Sequence, residues 1–283
     1  MTDIKKKADT VCENFRILKE RAENNREQIR LSARQLGSFL TEDVKSLDKS
    51  WKKMTDIEAS AVFKITLCQY LCQMQRYRDI AECVLRGEYD GDAKASLGRI
   101  AYVRNKRNDK VFLEFSKTVG GAKAYYSQSF ADACEAVFNN TCEFCILPIY
   151  NGKEGKLYSF YTMLDRHELK IAYIVTEDHP DSEEAVTFAL AGRRLSLPED
   201  DRKCLRFEFS LIGENIGIVS EITEAVGEIG GVVTDVGTLP IGYDQPRRKF
   251  YLSADIPPDS IIPLVLYLSM EDLGFEVLGL YGL

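Results

Sequence analysis

Cys142 and Cys145 form a CxxC, a spacing that can hold a metal ion or exchange a disulfide. The pair sits inside the apolar run Cys-Glu-Phe-Cys-Ile-Leu-Pro, and no second Cys/His pair at zinc spacing accompanies it. Free thiols in such a run pack as small hydrophobes, so the pair reads as buried and inert. Cys68 and Cys72, one turn apart on a helix face, read the same way. His167, in Asp-Arg-His-Glu, reads as a surface residue, and His179-Pro180 as a turn. The pair Glu183-Glu184 reads as solvated, and Trp51 as a helix-packing residue. No Ser/His/Asp or Cys/His arrangement and no phosphate loop is present, so no metal and no cofactor is expected. The cluster Arg104–Lys110 could bind an anion locally.

These residues need a scaffold, and 283 residues with 45% hydrophobic side chains allow two or three domains with real cores. A formal charge of −7 argues against nucleic acid or anionic membrane as a partner. No apolar run is long enough to span a bilayer, and Met-Thr-Asp-Ile-Lys-Lys-Lys has no hydrophobic segment behind it. The expected compartment is the cytoplasm, with all eight cysteines as free thiols.

Three segments are expected. Residues 1–90 read as an all-α three-helix domain. Val11, Phe15, Leu18 and Ala22, then Ile29, Ala33, Leu36 and Leu40, form one apolar stripe. Thr41 can cap a shorter helix over 42–53. Thr55 and Glu58 have capping-box spacing for a third helix that carries Ile57, Ala61, Ile65, Cys68 and Cys72 inward and runs to about Arg86. Residues 98–197 alternate strand and helix, which predicts a single α/β lobe. Its strands are Arg99–Val103, Ala122–Ser127, Phe144–Ile149, Leu169–Val175 and Ala185–Ala191. Its helices are Val111–Thr118, Phe130–Asn139 and Tyr158–Asp165. Pro198–Lys203 reads as a charged linker. Residues 203–283 predict an α+β ferredoxin-like sandwich in βαββαβ order. Its strands are Leu205–Ile212, Val232–Leu239, Lys249–Asp255 and Phe275–Tyr281, with a turn at Asp244–Arg248. Its helices are Ile216–Ile229 and Ser260–Leu273.

The last segment resembles the ACT domain that follows prephenate dehydratase. Gly213-Glu-Asn-Ile-Gly-Ile-Val is similar to the family's Pro-Gly-Ala-Leu loop, Val236-Gly-Thr-Leu-Pro240 sits where it has Glu-Ser-Arg-Pro, and Val277-Leu-Gly-Leu-Tyr281 matches its closing Leu-Gly-Ser-Tyr strand. The resemblance implies an amino-acid site, with phenylalanine the first ligand to test, formed by Asn215, Ile216, Gly217 and Ile218 with Thr238, Leu239 and Pro240. A helix N-terminus there presents free amides to a ligand carboxylate. The facing loop of a second copy closes the site, so a homodimer or larger assembly is implied. Gly237 and Leu239 replace the motif's Glu and Arg.

The middle segment resembles the first lobe of prephenate dehydratase. Ser129-Phe-Ala-Asp-Ala-Cys-Glu-Ala-Val-Phe-Asn-Asn is similar to the helix before the signature strand, and Ile146-Leu-Pro-Ile-Tyr-Asn-Gly-Lys-Glu-Gly155 to the Pro-Ile-Glu-Asn-Ser signature. Asn151 and Gly155 are kept as candidate ligand residues, while Tyr150 and Gly152 replace the glutamate and serine. Three features argue against dehydratase chemistry. Arg104-Asn-Lys-Arg-Asn-Asp replaces the glycine-rich loop that lets backbone approach an anion. Val186-Thr-Phe188 replaces Thr-Arg-Phe, and valine donates no hydrogen bond. The chain also passes almost directly from the Ile171–Val175 strand to Ala185–Ala191, where a second lobe should lie.

The N-terminal helices resemble the all-helical chorismate mutase. Thr55-Asp-Ile-Glu-Ala-Ser-Ala-Val-Phe-Lys-Ile with Gln73-Met-Gln75 is similar to that family's third helix, which ends in a substrate-binding Gln. Chorismate carries two carboxylates and needs converging cations. Arg16, Arg21, Arg30, Arg34 and Lys45 are available, and the resemblance puts Arg21, Arg34 and Gln75 in catalytic roles. Mutase, dehydratase and ACT domain is the order of the bifunctional phenylalanine-pathway enzyme. The expected protein belongs to phenylalanine biosynthesis, without dehydratase activity and with an amino-acid-sensing ACT-like segment. The alternatives are an active chorismate mutase, more expected than a dehydratase, and a non-catalytic module that dimerises through the ACT-like segment. Chorismate and prephenate are the other small molecules to consider.

Overall fold

The computed structural model describes residues 21–38, 40, 50–52, 59–86, 98–177, 184–195, 203–214, 216–241, 247–271 and 273–282. Thr55, the 42–49 part of the second helix, His179, Glu183, Asn215, Arg16, Lys45, the linker 198–202 and the turn at 244–246 lie outside them.

Among the described residues the full helices are α1 (residues 21–38), α2 (Ala61–Leu71), α3 (Gln75–Arg86), α4 (Lys106–Thr118), α5 (Phe130–Phe138), α6 (Tyr158–Arg166), α7 (Gly217–Glu228) and α8 (Ile261–Met270), and residues 50–52 are also helical. The strands are β1 (Arg99–Val103), β2 (Lys123–Ser127), β3 (Phe144–Asn151), β4 (Gly155–Lys156), β5 (Lys170–Glu177), β6 (Val186–Gly192), β7 (Leu205–Gly213), β8 (Val232–Pro240), β9 (Arg248–Ile256) and β10 (Glu276–Gly282). Two expected elements shift. The long third helix is two helices, α2 and α3, joined by a turn at Cys72–Met74, although no Gly or Pro marks a break there. Tyr77 donates to the Leu40 carbonyl at 2.8 Å and ties the turn to the end of the first helical segment. Ser60 caps α2 by accepting from the Phe63 amide. Helix α4 starts five residues earlier than expected because Asn105 caps it, accepting from the Asn108 amide at 2.8 Å.

Among the described residues the strands form one sheet, in the order β2-β1-β3-β6-β5-β10-β7-β9-β8, with β4 paired to β3. The α/β segment and the ferredoxin-like segment were expected as separate domains. Instead β10 runs parallel to β5, with Gly279 opposite Ile171, and joins the two sheets. A Cβ on Gly279 would lie 2.7 Å from Ile171 Cβ, so the strands close only because this position is glycine.

Among the described residues, the helical segment shares its core with the sheet. Phe207, Phe209 and Leu211 of β7 share one cluster with Leu264 and Leu268 of α8, Ile222 of α7 and Ile65, Leu67, Cys68 and Leu71 of α2. Helix α8 is apolar on nearly all sides (Ile-Ile-Pro-Leu-Val-Leu-Tyr-Leu), as a helix covered both by a sheet and by other helices must be. Ion pairs help to fix the layer. Buried Lys64 meets Glu271 at 2.8 Å, and Arg30 Nε meets Glu228 at 2.5 Å. The opposite face of the sheet is covered by α6, whose Tyr161 and Leu164 pack with Tyr251, Leu278 and Tyr281. The CxxC thiols are buried in that cluster, and burial pushes the Cys142 thiol up to about 11.

Candidate functional site

Strands β7 and β9 place alternate residues on the α6 side of the sheet. Register aligns Asp235 of β8 with Ser253 of β9, Ser253 with Glu208 of β7, and Glu208 with Gly279 of β10. Glu208 is 3% exposed and would be very costly to bury alone. Four donors satisfy it: Lys156 Nζ at 2.8 Å, Ser253 Oγ at 2.9 Å, Tyr281 OH at 2.9 Å and Tyr161 OH at 3.3 Å. Lys156 also donates to Ser253 Oγ at 2.5 Å and lies 3.4 Å from Asp235. Burial, reinforced by the Glu208 charge, holds the Tyr161 and Tyr281 hydroxyls well above their ordinary pKa, so both stay donors. Tyr158 OH donates to Asp235 at 3.2 Å, and burial beside that carboxylate pushes its pKa to about 12. Arg206 makes a bidentate pair with Asp255 at 2.6 and 2.9 Å.

This network lines a cavity of about 630 Å³ at the junction of the two halves of the sheet. Its far wall comes from the dehydratase-like segment: Ile149, Tyr150, Gly155, Ile174, Thr176, Ala185 and Thr187. The volume falls within the usual range for small-molecule sites, roughly 300–1,000 Å³. Gly155 therefore stands on the cavity. Asn151, the other retained residue, does not line it and accepts from the Lys153 amide at 2.9 Å, holding its own turn. Val186 points away, into an apolar cluster with Ile100, Tyr102, Ile146, Phe188 and Leu190. Thr187, its neighbour, shares a 3.0 Å hydrogen bond with Thr176.

Where the amino-acid site is expected lies a second, smaller cavity of about 420 Å³, lined by Ile212, Gly213, Glu214, Ile218, Arg247, Leu273 and Gly274. Ile218 therefore stands in it. Ile216 is 75% exposed, and Gly217 opens α7 beside it. Thr238, Leu239 and Pro240 do not line this cavity. Pro240 of β8 and Gly213 of β7 pair with the same residue of β9, Arg248, from opposite sides. The candidate residues thus share one end of the sheet but straddle a strand. Gly237, which replaces the motif's glutamate, lies under Tyr158, where a Cβ would come within 2.0 Å of the ring.

No protein-family model matches the chain, and no curated protein matches it. Solved structures do. A prephenate dehydratase from Streptococcus mutans aligns with a TM-score of 0.55 at 14% identity, over 65% of this chain and 97% of that one. A prephenate dehydratase from Arthrobacter aurescens in complex with L-Phe aligns with a TM-score of 0.53 at 14% identity, over 65% and 90%. GqqA, described as a novel type of quorum quenching acylase, aligns with a TM-score of 0.52 at 17% identity, over 68% and 96%. The fold is prephenate dehydratase-like.

Within this dehydratase-like fold the mutase-like residues do not converge on either cavity. Arg21 and Arg34 are exposed on α1. Gln75 is exposed at the start of α3, and its amide donates to Asp79 at 2.7 Å. Arg26 and Arg30, on the same helix as Arg21 and Arg34, engage Glu228 of α7 at 3.4 and 2.5 Å. Lys156, Tyr161, Glu208 and Asp235 were not singled out from the sequence. In Leu205-Arg-Phe-Glu-Phe-Ser-Leu the polar residues alternate with apolar ones, which reads as a solvent face, and α6 covering that face is a long-range event. Among the described residues, no three His, Cys, Asp or Glu side chains are placed to hold a metal ion, and no helix is long and apolar enough to cross a membrane.

Proposed function

We propose that this chain is a dehydratase-fold protein of aromatic amino-acid metabolism that lacks dehydratase activity and responds to an amino acid through its ACT-like segment. The observation that carries the reading is the burial of Val186 among apolar side chains, where the dehydratase motif has a threonine. No hydroxyl stands there to assist departure of a leaving hydroxyl, and the eight residues between β5 and β6 leave no room for a second lobe. The likeness to a prephenate dehydratase in complex with L-Phe supports an amino acid as the ligand and makes L-phenylalanine the first one to test. The residues proposed to contact it are Asn215, Ile216, Gly217 and Ile218 of one copy with Thr238, Leu239 and Pro240 of a second. The proposed state is a homodimer.

A thermal-shift screen against the proteinogenic amino acids tests this reading. A ligand at about a hundred times its dissociation constant adds roughly 2.7 kcal/mol to the stability of the form that binds it. One or a few amino acids should raise the Tm, phenylalanine first. A flat response to all of them contradicts the proposal and favours a structural role. Consumption of chorismate would favour the mutase alternative.

A further inference from the structure

We propose that the junction cavity is a second ligand site, one that takes a small primary amine with an apolar body and holds its ammonium on Asp235. Four charged residues line it: Lys156, Arg206, Glu208 and Asp235. Three are committed to protein partners. The Lys156 ammonium is shared among Glu208, Ser253 and Asp235, Glu208 accepts four donors, and Arg206 is clamped on Asp255. Asp235 differs. Its side chain is 43% exposed, and its contacts with Tyr158 OH and Lys156 both fall on Oδ2, at 3.2 and 3.4 Å. Among the described residues, Oδ1 is the uncommitted acceptor. With Asp255 counted, three carboxylates face two cations, so the wall favours one more positive charge over one more negative.

The backbone is shaped toward the same space. Successive strand residues ordinarily point to opposite faces, yet Thr234 and Asp235 both line the cavity, at a register shift between Val233 and Asp235. Ile149 and Tyr150 also both line it, at a shift between Pro148 and Tyr150. Bulges re-aim side chains in this way, and here two strands on opposite walls bulge onto one cavity. Ile149, Ile174 and Ala185 offer an apolar surface for the ligand body. The Thr176–Thr187 hydroxyl pair spends one proton on its own bond and keeps a second for a polar group of the ligand.

This inference stands apart from the ACT-like end, and titration calorimetry on the full chain near pH 7 separates the two. Phenethylamine is the probe with an ammonium, and 3-phenylpropionate the matched probe with a carboxylate. Phenethylamine should bind and 3-phenylpropionate should not. Asp235→Asn should weaken phenethylamine binding about tenfold or more, since one charge-assisted hydrogen bond is lost. Thr187→Val, on the opposite wall, should weaken it severalfold. Circular dichroism confirms that each variant is folded. Binding of 3-phenylpropionate as tight as that of phenethylamine, no binding of phenethylamine, or affinity untouched by both substitutions overturns the inference. A protein that binds L-phenylalanine but not phenethylamine keeps the proposed function and loses this site, and the converse result does the opposite.

Discussion

Gly279 of β10 lies directly opposite Ile171 of β5, close enough that a methyl group on Gly279 would sit 2.7 Å from Ile171 Cβ and 3.2 Å from its carbonyl oxygen. This contact joins strands β1–β6 to strands β7–β10. It also accounts for the glycine in the closing motif Val277-Leu-Gly-Leu-Tyr281 as a steric requirement. Gly279→Ala should destabilise the protein by about 1–3 kcal/mol, the usual cost of overpacking. Urea denaturation measures it, and an unchanged midpoint would show that the two strands can separate freely.

Lys156→Met leaves Glu208 buried without its cation. Breaking a buried pair in this way costs about 3–5 kcal/mol, while replacing both partners by apolar residues of similar size is often close to neutral. Lys156→Met should therefore be strongly destabilising, and the double variant Lys156→Met/Glu208→Leu less so. A double-mutant cycle by chemical denaturation reads the difference. Equal losses in the single and double variants would mean that the pair contributes little.

The Lys64–Glu271 pair should give a pH signature. Burial raises the Glu271 pKa, and Lys64 opposes that rise. A carboxyl whose folded pKa exceeds its unfolded value binds its proton more tightly when folded. Its stabilising contribution is complete below the unfolded pKa and is lost as pH rises through the folded one. Lys64→Met removes the opposing charge and widens that window. The variant should lose about 3 kcal/mol near pH 7 and clearly less near pH 4, where Glu271 is protonated. Adding Glu271→Gln should recover much of the loss near pH 7. Thermal melts at the two pH values decide it, and a loss independent of pH would contradict the assignment.

Burial fixes the reactivity of the thiols. Cys142 is raised to about 11 and Cys72 to about 12, chiefly by desolvation, whereas Cys83 is exposed. Brief alkylation of the native protein at pH 8, followed by peptide mass mapping, should modify Cys83 and spare Cys72, Cys142 and Cys145. Rapid labelling of Cys142 or Cys145 would reopen the CxxC as a reactive pair.

Periodicity made nearly every described element legible, because each strand and helix carries its own apolar face. The Leu205–Ile212 alternation and the Ile222/Val226 stripe mapped directly onto β7 and α7. What depends on contacts between distant segments was not legible. Nothing local to Cys72–Met74 breaks a helix, and the turn exists so that α2 and α3 can both reach α8. The charged stretch 198–203 read as a boundary between domains, while the closure of β10 on β5 is set by Gly279, far along the chain. Gly237 read as a lost ligand residue, and its role is to seat Tyr158. Glu208 and Asp235 carry the candidate site, yet in sequence they are ordinary polar positions on alternating strands.

Incubation of the purified full chain with prephenate tests most directly the proposal of a dehydratase-like fold without dehydratase activity. Phenylpyruvate, followed by its absorbance under alkaline conditions, should stay at the level of the uncatalysed control, and Val186→Thr alone should not restore its formation. Turnover of prephenate to phenylpyruvate well above that control would contradict the account.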